Sequence, residues 1–320
     1  MQPIPFEQFM AQALHDPQHG YYARRIFGVG RGGDFTTAPM LSDAPAKAIA
    51  AWVIRAFHES RCRNLIEIGP GEGRLAADVL RHLPWHIRFK TRLHLVETSL
   101  PLAEQQRKLL GKRATWHQCP QEALVACEGN AVIFSNELVD AFPVRRFQKT
   151  ALGWQELAVH FDAQKHAHES LLPPAPLPDS SAFQDRHEIG QWVEVHDSYR
   201  RYLHEWLPFW KSGRMLTIDY GATVGNLYHR RPQGSVRAYL LQQRLEGRAI
   251  YDNPGRQDIT ADVNFTDLQN WSHPWMLVQK ISTFREFLQN TGGELLADPQ
   301  GAGDAFLVLD QKRAAPIPTP

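Results

Sequence analysis

The stretch Asn64–Leu83, NLIEIGPGEGRLAADVLRHL, decides how the rest of the chain is read. Leu65, Ile66 and Ile68 make a short apolar run, glycines stand at 69, 71 and 73, and Leu75, Val79 and Leu80 then recur at helical spacing. The pattern predicts a strand, a glycine turn and a helix. With no Cβ at Gly69, Gly71 and Gly73, the backbone there can come close to a ligand at the carboxyl end of the strand.

Spacing narrows the ligand. A dinucleotide fingerprint needs G-x-G-x-x-G, but here the third glycine comes one residue early and Arg74 holds its place. Glu67 stands two residues before the first glycine. A carboxylate at that point repels a pyrophosphate and suits a ligand that carries an amine and no phosphate, such as S-adenosylmethionine. The carboxylate of that ligand can use the free N–H groups that open the following helix. An ordinary tight strand-to-helix turn would carry the same glycines, so the motif alone leaves both readings open.

A chain of 320 residues with 43% hydrophobic and 22% charged residues reads as globular, in one elaborated domain or two. Lys plus Arg total 35 against 34 Asp plus Glu, which gives no general electrostatic reason to expect nucleic acid or an anionic membrane as partner. Cys62, Cys119 and Cys127 form neither a C-x-x-C pair nor an even disulfide framework. His166 and His168 have no nearby cysteine to complete a zinc site, and no metal is expected. The N-terminus lacks a basic, apolar leader and no apolar run is long enough to cross a bilayer, so a cytoplasmic protein is expected.

Phe6, Phe9, Met10, Ala13 and Leu14 predict a helix that ends at Asp16-Pro17. The loop FGVGRGGDFTTAP follows, read either as a surface loop or as a lid with glycine hinges. Residues 44–57 read as a helix, 92–96 as a second strand, 102–110 as a helix, 114–118 as a third strand and 131–135 as a fourth. Glu97 ends the second strand. An acid there can accept both ribose hydroxyls of an adenosine, and with the glycine turn upstream we prefer that role to a helix N-terminal acid. Asn136, Glu137 and Asp140 follow the buried fourth strand, where ligands bind in open α/β sheets; helix capping by Asn136 would account for one of the three.

Residues 144–161 predict a hairpin, 162–190 a Pro-rich connection, 192–210 a long aromatic helix and 214–218 a fifth strand. Residues 276–281 and 305–310 supply the last strands. The expected layout is an N-terminal helix and lid over 1–43, a cofactor-binding half over 44–143, and the inserted hairpin and connection over 144–190. A core helix and strand follow over 191–220, a substrate-side insertion over 221–264, core elements over 265–311 and a disordered tail over 312–320.

Taken in order, HDPQHGYY, GDFTTAP, LIEIGPGEGRL, NELVDAFPV, IDYG, VRAY and PGRQDITADVNF resemble the MidA-like family of class I S-adenosylmethionine-dependent methyltransferases. The resemblance implies an α/β fold with a Rossmann-like, seven-stranded, mostly parallel sheet, an N-terminal helical lid and an inserted substrate-side subdomain. It implies S-adenosyl-L-methionine over Glu67, Gly69 and Gly71, Glu97 on the ribose, and closure by Gly33, Asp34 and Thr36. Asn136, Glu137 and Asp140 match the segment that faces the reactive methyl. NELVDAF also looks like the first glutamate loop of protein arginine methyltransferases, which implies an arginine of a protein substrate clamped by Glu137, with Asp140 second. A small-molecule acceptor and a non-catalytic assembly role are the rival readings. Departures fall on the substrate side: Gln242 where the family usually has histidine, Asp262 and Asn264 in T-A-D-V-N-F where it reads T-A-H-V-D-F, and DAPA from Asp43.

Overall fold

The computed structural model describes residues 2–23, 43–241, 243–290 and 305–314. The chain divides into two compact units, one of residues 36–138, 203–220 and 269–320, the other of 1–35, 139–202 and 221–268.

The first unit is built on a sheet whose strands we number β1 (Asn64–Ile68), β2 (Arg92–Val96), β3 (Ala114–His117), β4 (Val132–Asn136), β5 (Arg214–Ala222), β6 (Met276–Thr283) and β7 (Phe306–Arg313). Their order across the sheet is β3-β2-β1-β4-β5-β7-β6. The β1–β5 ladders are parallel and β7 runs antiparallel to both neighbours, so the sheet is mostly parallel as expected. An eighth strand of two residues, Val263–Asn264, pairs with Gly221 and Ala222 at the end of β5. Parallel strands covered on both faces read as continuous apolar runs, and Leu65, Ile66, Leu93, Leu95, Val132, Ile133 and Phe134 are all buried. Helix α1 (Ala44–Ser60) adds Ile49, Trp52, Val53 and Phe57 to that core.

Strand order reverses between β1 and β4. In open α/β sheets this switch point opens a crevice at the carboxyl ends of the strands. The glycine turn follows β1 and the NELVDAF segment follows β4, so the sequence places its two richest motifs on either side of it.

In the second unit the strands Ile4–Pro5, Gly153–Phe161, Arg145–Thr150, Trp192–Val195 and Ala167–Leu171 form one sheet, and Arg237–Leu240, Gln243–Leu245 and Asp258–Thr260 another. The Phe6–His15 helix packs Phe6, Phe9, Met10 and Leu14 into this unit's core with Tyr251 and Ile259.

Two expectations are corrected. Trp192–Val195 is a strand paired with Arg145–Gln148, and the helix runs over Asp197–Trp206. Trp192–Val195 is buried throughout and fits a pleated surface covered on both faces, and sheet pairing overrides the helix its aromatic spacing suggested. The last strand also runs through Arg313, two residues into the segment read as a tail, because Lys312 pairs with Arg214 and Val278.

Candidate cofactor and catalytic site

Gly69 and Gly71 adopt φ +67° and +54°, left-handed values that glycine takes without strain. A Cβ at Gly69 would lie 2.6 Å from Leu138 Cδ1, so only hydrogen fits between the turn after β1 and the segment after β4. Among the described residues a Cβ at Gly71 would meet nothing within 4 Å. The turn is packed on one side and open on the other, which is the shape a cradle needs.

Glu67 is 2% exposed at the end of β1. The Ala76 amide, at the third residue of helix α2 (Arg74–His82), donates to its carboxylate. Its Oε2 is buried with no partner among the described residues. Burial first, then the charge of Glu97, push the Glu67 carboxyl from its ordinary 4.5 up to about 8. An orphaned, buried carboxylate oxygen is costly in isolation, and an ammonium beside it removes that cost.

Glu97 is buried just beyond β2 and takes donors from the Ser99 amide at 2.8 Å, the Gln106 side chain at 3.1 Å and the Thr98 amide. Burial raises its pKa while these donors oppose the rise. A carboxylate offers about four lone-pair sites, so capacity remains for a hydroxyl.

Sequence reasoning missed Gln106. It is fully buried on helix α3 (Leu100–Leu110), donates to the Gly71 carbonyl at 2.7 Å as well as to Glu97, and accepts from Trp116 Nε1 at 2.9 Å. A signal was present: Gln106 stands four residues from both Leu102 and Leu110, a polar residue on the buried face of its helix.

At the end of β4, Asn136 Nδ2 donates to Glu137 Oε1 at 3.0 Å. Glu137 has φ +50°, an uncommon conformation for a residue with a side chain, and its amide donates to the Ile218 carbonyl at 3.0 Å. The next amide, Leu138, donates to Asp219 of β5 at 3.1 Å. Asp219 is fully buried and fixes the path of the segment, a second role that sequence reading did not assign. No helix begins at Asn136, which removes the capping alternative.

Glu67, Gly69, Gly71, Glu97, Asn136 and Glu137 thus belong to one unit, whereas Asp140 belongs to the other. There Asp140 is buried; desolvation pushes its carboxyl up to about 6 against the opposing charge of Arg237, with Asp262 adding to the rise. The departure at Asp262 is an ion pair with Arg237 and Arg231. Asn264 accepts from the Thr266 and Asp267 amides and donates to Ser181, capping the Phe265–Ser272 helix. Gly33, Asp34, Thr36 and Gln242 lie outside the described residues. His166 and His168 both face Asp162, at 3.4 and 3.0 Å.

A doubly wound sheet with a left-handed glycine turn, an acid before it and another acid after the second strand defines a nucleoside-cofactor enzyme of the methyltransferase class. The chain belongs to the family described as "Putative S-adenosyl-L-methionine-dependent methyltransferase", whose model matches residues 48–277. It is 29% identical to the mouse protein arginine methyltransferase NDUFAF7, mitochondrial, over 91% of this chain and 71% of that protein. The human protein of the same name is 27% identical over 91% and 70%. A COG1565 superfamily member from Burkholderia thailandensis, bound to S-adenosyl-homocysteine, superposes with a TM-score of 0.85 at 26% identity, covering 97% of this chain and 88% of that one. The protein is an S-adenosylmethionine-dependent methyltransferase, and the orphaned Glu67 oxygen and the open side of Gly71 fit that cofactor.

The expectation of a cytoplasmic protein is corrected by these relatives, whose names place them in mitochondria. It rested on a missing leader and a missing apolar run. Among the described residues no helix is long and apolar enough to cross a membrane, but that is not a compartment address.

Proposed function

We propose that this chain methylates an arginine side chain of a protein substrate, with Glu67, Gly69, Gly71 and Glu97 holding the cofactor and Glu137 holding the acceptor. The observation that carries this reading is Glu137 itself, a carboxylate oriented by Asn136 at the switch point of the sheet and kept in a left-handed conformation. The names of the curated relatives support the acceptor class.

The bound cofactor supplies an electrophilic methyl group on a sulfonium. A guanidinium carries its charge at neutral pH and must be both oriented and relieved of a proton as its new N–C bond forms. A carboxylate does both: it accepts two parallel N–H bonds and then takes the proton. Positioning of this kind can contribute roughly 7–11 kcal/mol of barrier reduction. Asn136 fixes the carboxylate plane through Glu137 Oε1, and Asp219 fixes the backbone that follows. Asp140 is the second acid of the segment.

The test is methyl incorporation into arginine-containing protein substrates, read by peptide mass, beside calorimetry of cofactor binding. Glu137→Gln should leave cofactor affinity within about twofold and lower turnover by roughly 10²–10⁴. Loss of cofactor binding in that variant would move Glu137 into the cofactor site. Transfer to a small molecule, and to no arginine, would replace the acceptor.

A further inference from the structure

Asn64 and Arg92 open β1 and β2 at the end of the sheet opposite the glycine turn, and a cavity of about 700 Å³ lies against them. That volume falls within the range of small-molecule sites. Arg61, Arg63, Lys90 and Arg92 line it against one carboxylate, Glu128. The imbalance is local, because the chain as a whole has 35 Lys plus Arg to 34 Asp plus Glu.

The buried and half-buried arginines Arg145, Arg214 and Arg237 are each paired with a carboxylate, Glu156, Asp310 and Asp262. Among the described residues Arg61, Lys90 and Arg92 enter no ion pair, and all three are exposed. Arg63 is anchored, donating to the carbonyls of Phe57 at 3.2 Å and Cys62 at 2.6 Å with its guanidinium over the Phe57 ring. Cys127 adds no negative charge to the lining, since burial pushes its thiol up to about 12. Beside Lys90, Phe89 is 89% exposed, an uncovered ring at the rim.

We propose that this cavity binds a small polyphosphate-bearing ligand, with its charge held by Arg61, Lys90 and Arg92 and a flat group laid on Phe89. Like charges gathered against a single carboxylate repel one another, and a multiply charged anion reverses the sign of that interaction. Guanidinium forks match phosphate oxygens two at a time, and an exposed aromatic ring offers a stacking face to any base. The site is separate from the cofactor site, which lies beyond the other end of β1, roughly 13 Å or more away.

The experiment is calorimetric titration of the full chain with inorganic pyrophosphate and with ADP, in saturating S-adenosylhomocysteine so that adenosine cannot enter at the glycine turn. Both should bind saturably, ADP more tightly. Lys90→Glu and Arg92→Glu should each weaken both ligands at least tenfold. Phe89→Ala should bring ADP down to the pyrophosphate level and leave pyrophosphate unchanged. These side chains are exposed, so S-adenosylhomocysteine affinity and the thermal melt should be unaltered in every variant. No saturable binding of either probe, or binding indifferent to Arg92→Glu, would overturn the proposal. So would co-sedimentation with phosphatidylglycerol vesicles in the absence of pyrophosphate binding, which would assign the patch to a membrane surface.

Discussion

Gln106 ties Gly71 to Glu97, the two halves of the proposed cofactor site: its Nε2 donates to Glu97 Oε2 at 3.1 Å and to the Gly71 carbonyl at 2.7 Å. A single buried amide therefore sets the distance between the turn after β1 and the acid after β2. Gln106→Leu keeps the volume and removes every one of these bonds. It leaves a buried carboxylate oxygen, a backbone carbonyl and Trp116 Nε1 each short of a partner. Unmade buried hydrogen bonds cost about 1–3 kcal/mol each before relaxation. We expect a loss of about 2–4 kcal/mol in urea denaturation and cofactor binding weakened at least tenfold by calorimetry. Stability lost with affinity intact would reduce Gln106 to packing.

Gly69 and Gly71 make a matched pair, because both have positive φ and, among the described residues, only Gly69 has a neighbour in the way. Gly71→Val should fold, at a strain of about 1–2 kcal/mol, and lose cofactor binding, since its side chain enters open space on the cradle side. Gly69→Ala adds one carbon where Leu138 Cδ1 already stands, so Leu138 must move, and Glu137 precedes it directly. That variant should lower turnover as well as affinity. Calorimetry and turnover of the two side by side distinguish a filled cradle from a displaced clamp, and normal cofactor binding by Gly71→Val would remove the turn from the site.

Much of this arrangement is legible in the sequence, because β1, β2 and β4 are short, largely buried apolar runs and each leads into its own chemistry: glycines, Glu97 and Asn136-Glu137. What is hidden has physical reasons. Gln106 is polar on an apolar face, and nothing local says which partners it meets across 35 residues to Gly71. The left-handed turn at Glu137 sits beside a backbone bond to Ile218 and a bond from Leu138 to Asp219, both partners far away in sequence. Glu67 reads as a ligand contact, yet its bond to the start of α2 exists only once the glycine turn has closed. Trp192–Val195 reads as helix because its partner strand lies more than forty residues upstream.

Glu67 gives the protein a pH signature. Its carboxyl sits near 4.5 in the unfolded chain and at about 8 in the folded one, raised by burial and by Glu97. Between those values the folded state holds a proton that the unfolded state has lost. Stability therefore falls as pH rises from about 4.5 to about 8 and is level above that. Glu67→Gln abolishes this contribution while keeping an acceptor for the Ala76 amide. In urea denaturation without cofactor, the variant should match the wild type near pH 5 and exceed it by at least about 1 kcal/mol at pH 9. Parallel pH profiles would mean that Glu67 is already ionised in the empty site.

Glu137 is held in a conformation that its own chemistry disfavours. At φ +50° a side chain crowds the backbone, an arrangement that persists where the surroundings impose it and that clusters at functional positions. Two substitutions separate the conformation from the carboxylate. Glu137→Ala and Glu137→Gly both remove the acid and its bond from Asn136, so both should lose turnover. They differ in what the backbone bears: alanine keeps the Cβ and its strain, glycine does not. Glycine should therefore give the more stable protein by about 1 kcal/mol, against the usual order in which glycine is the worse replacement. Thermal melts of the two variants settle it. If alanine matches glycine, the segment has relaxed to negative φ, and the turn is a product of the carboxylate's contacts; if glycine leads, the sheet imposes the turn and the carboxylate is carried on it.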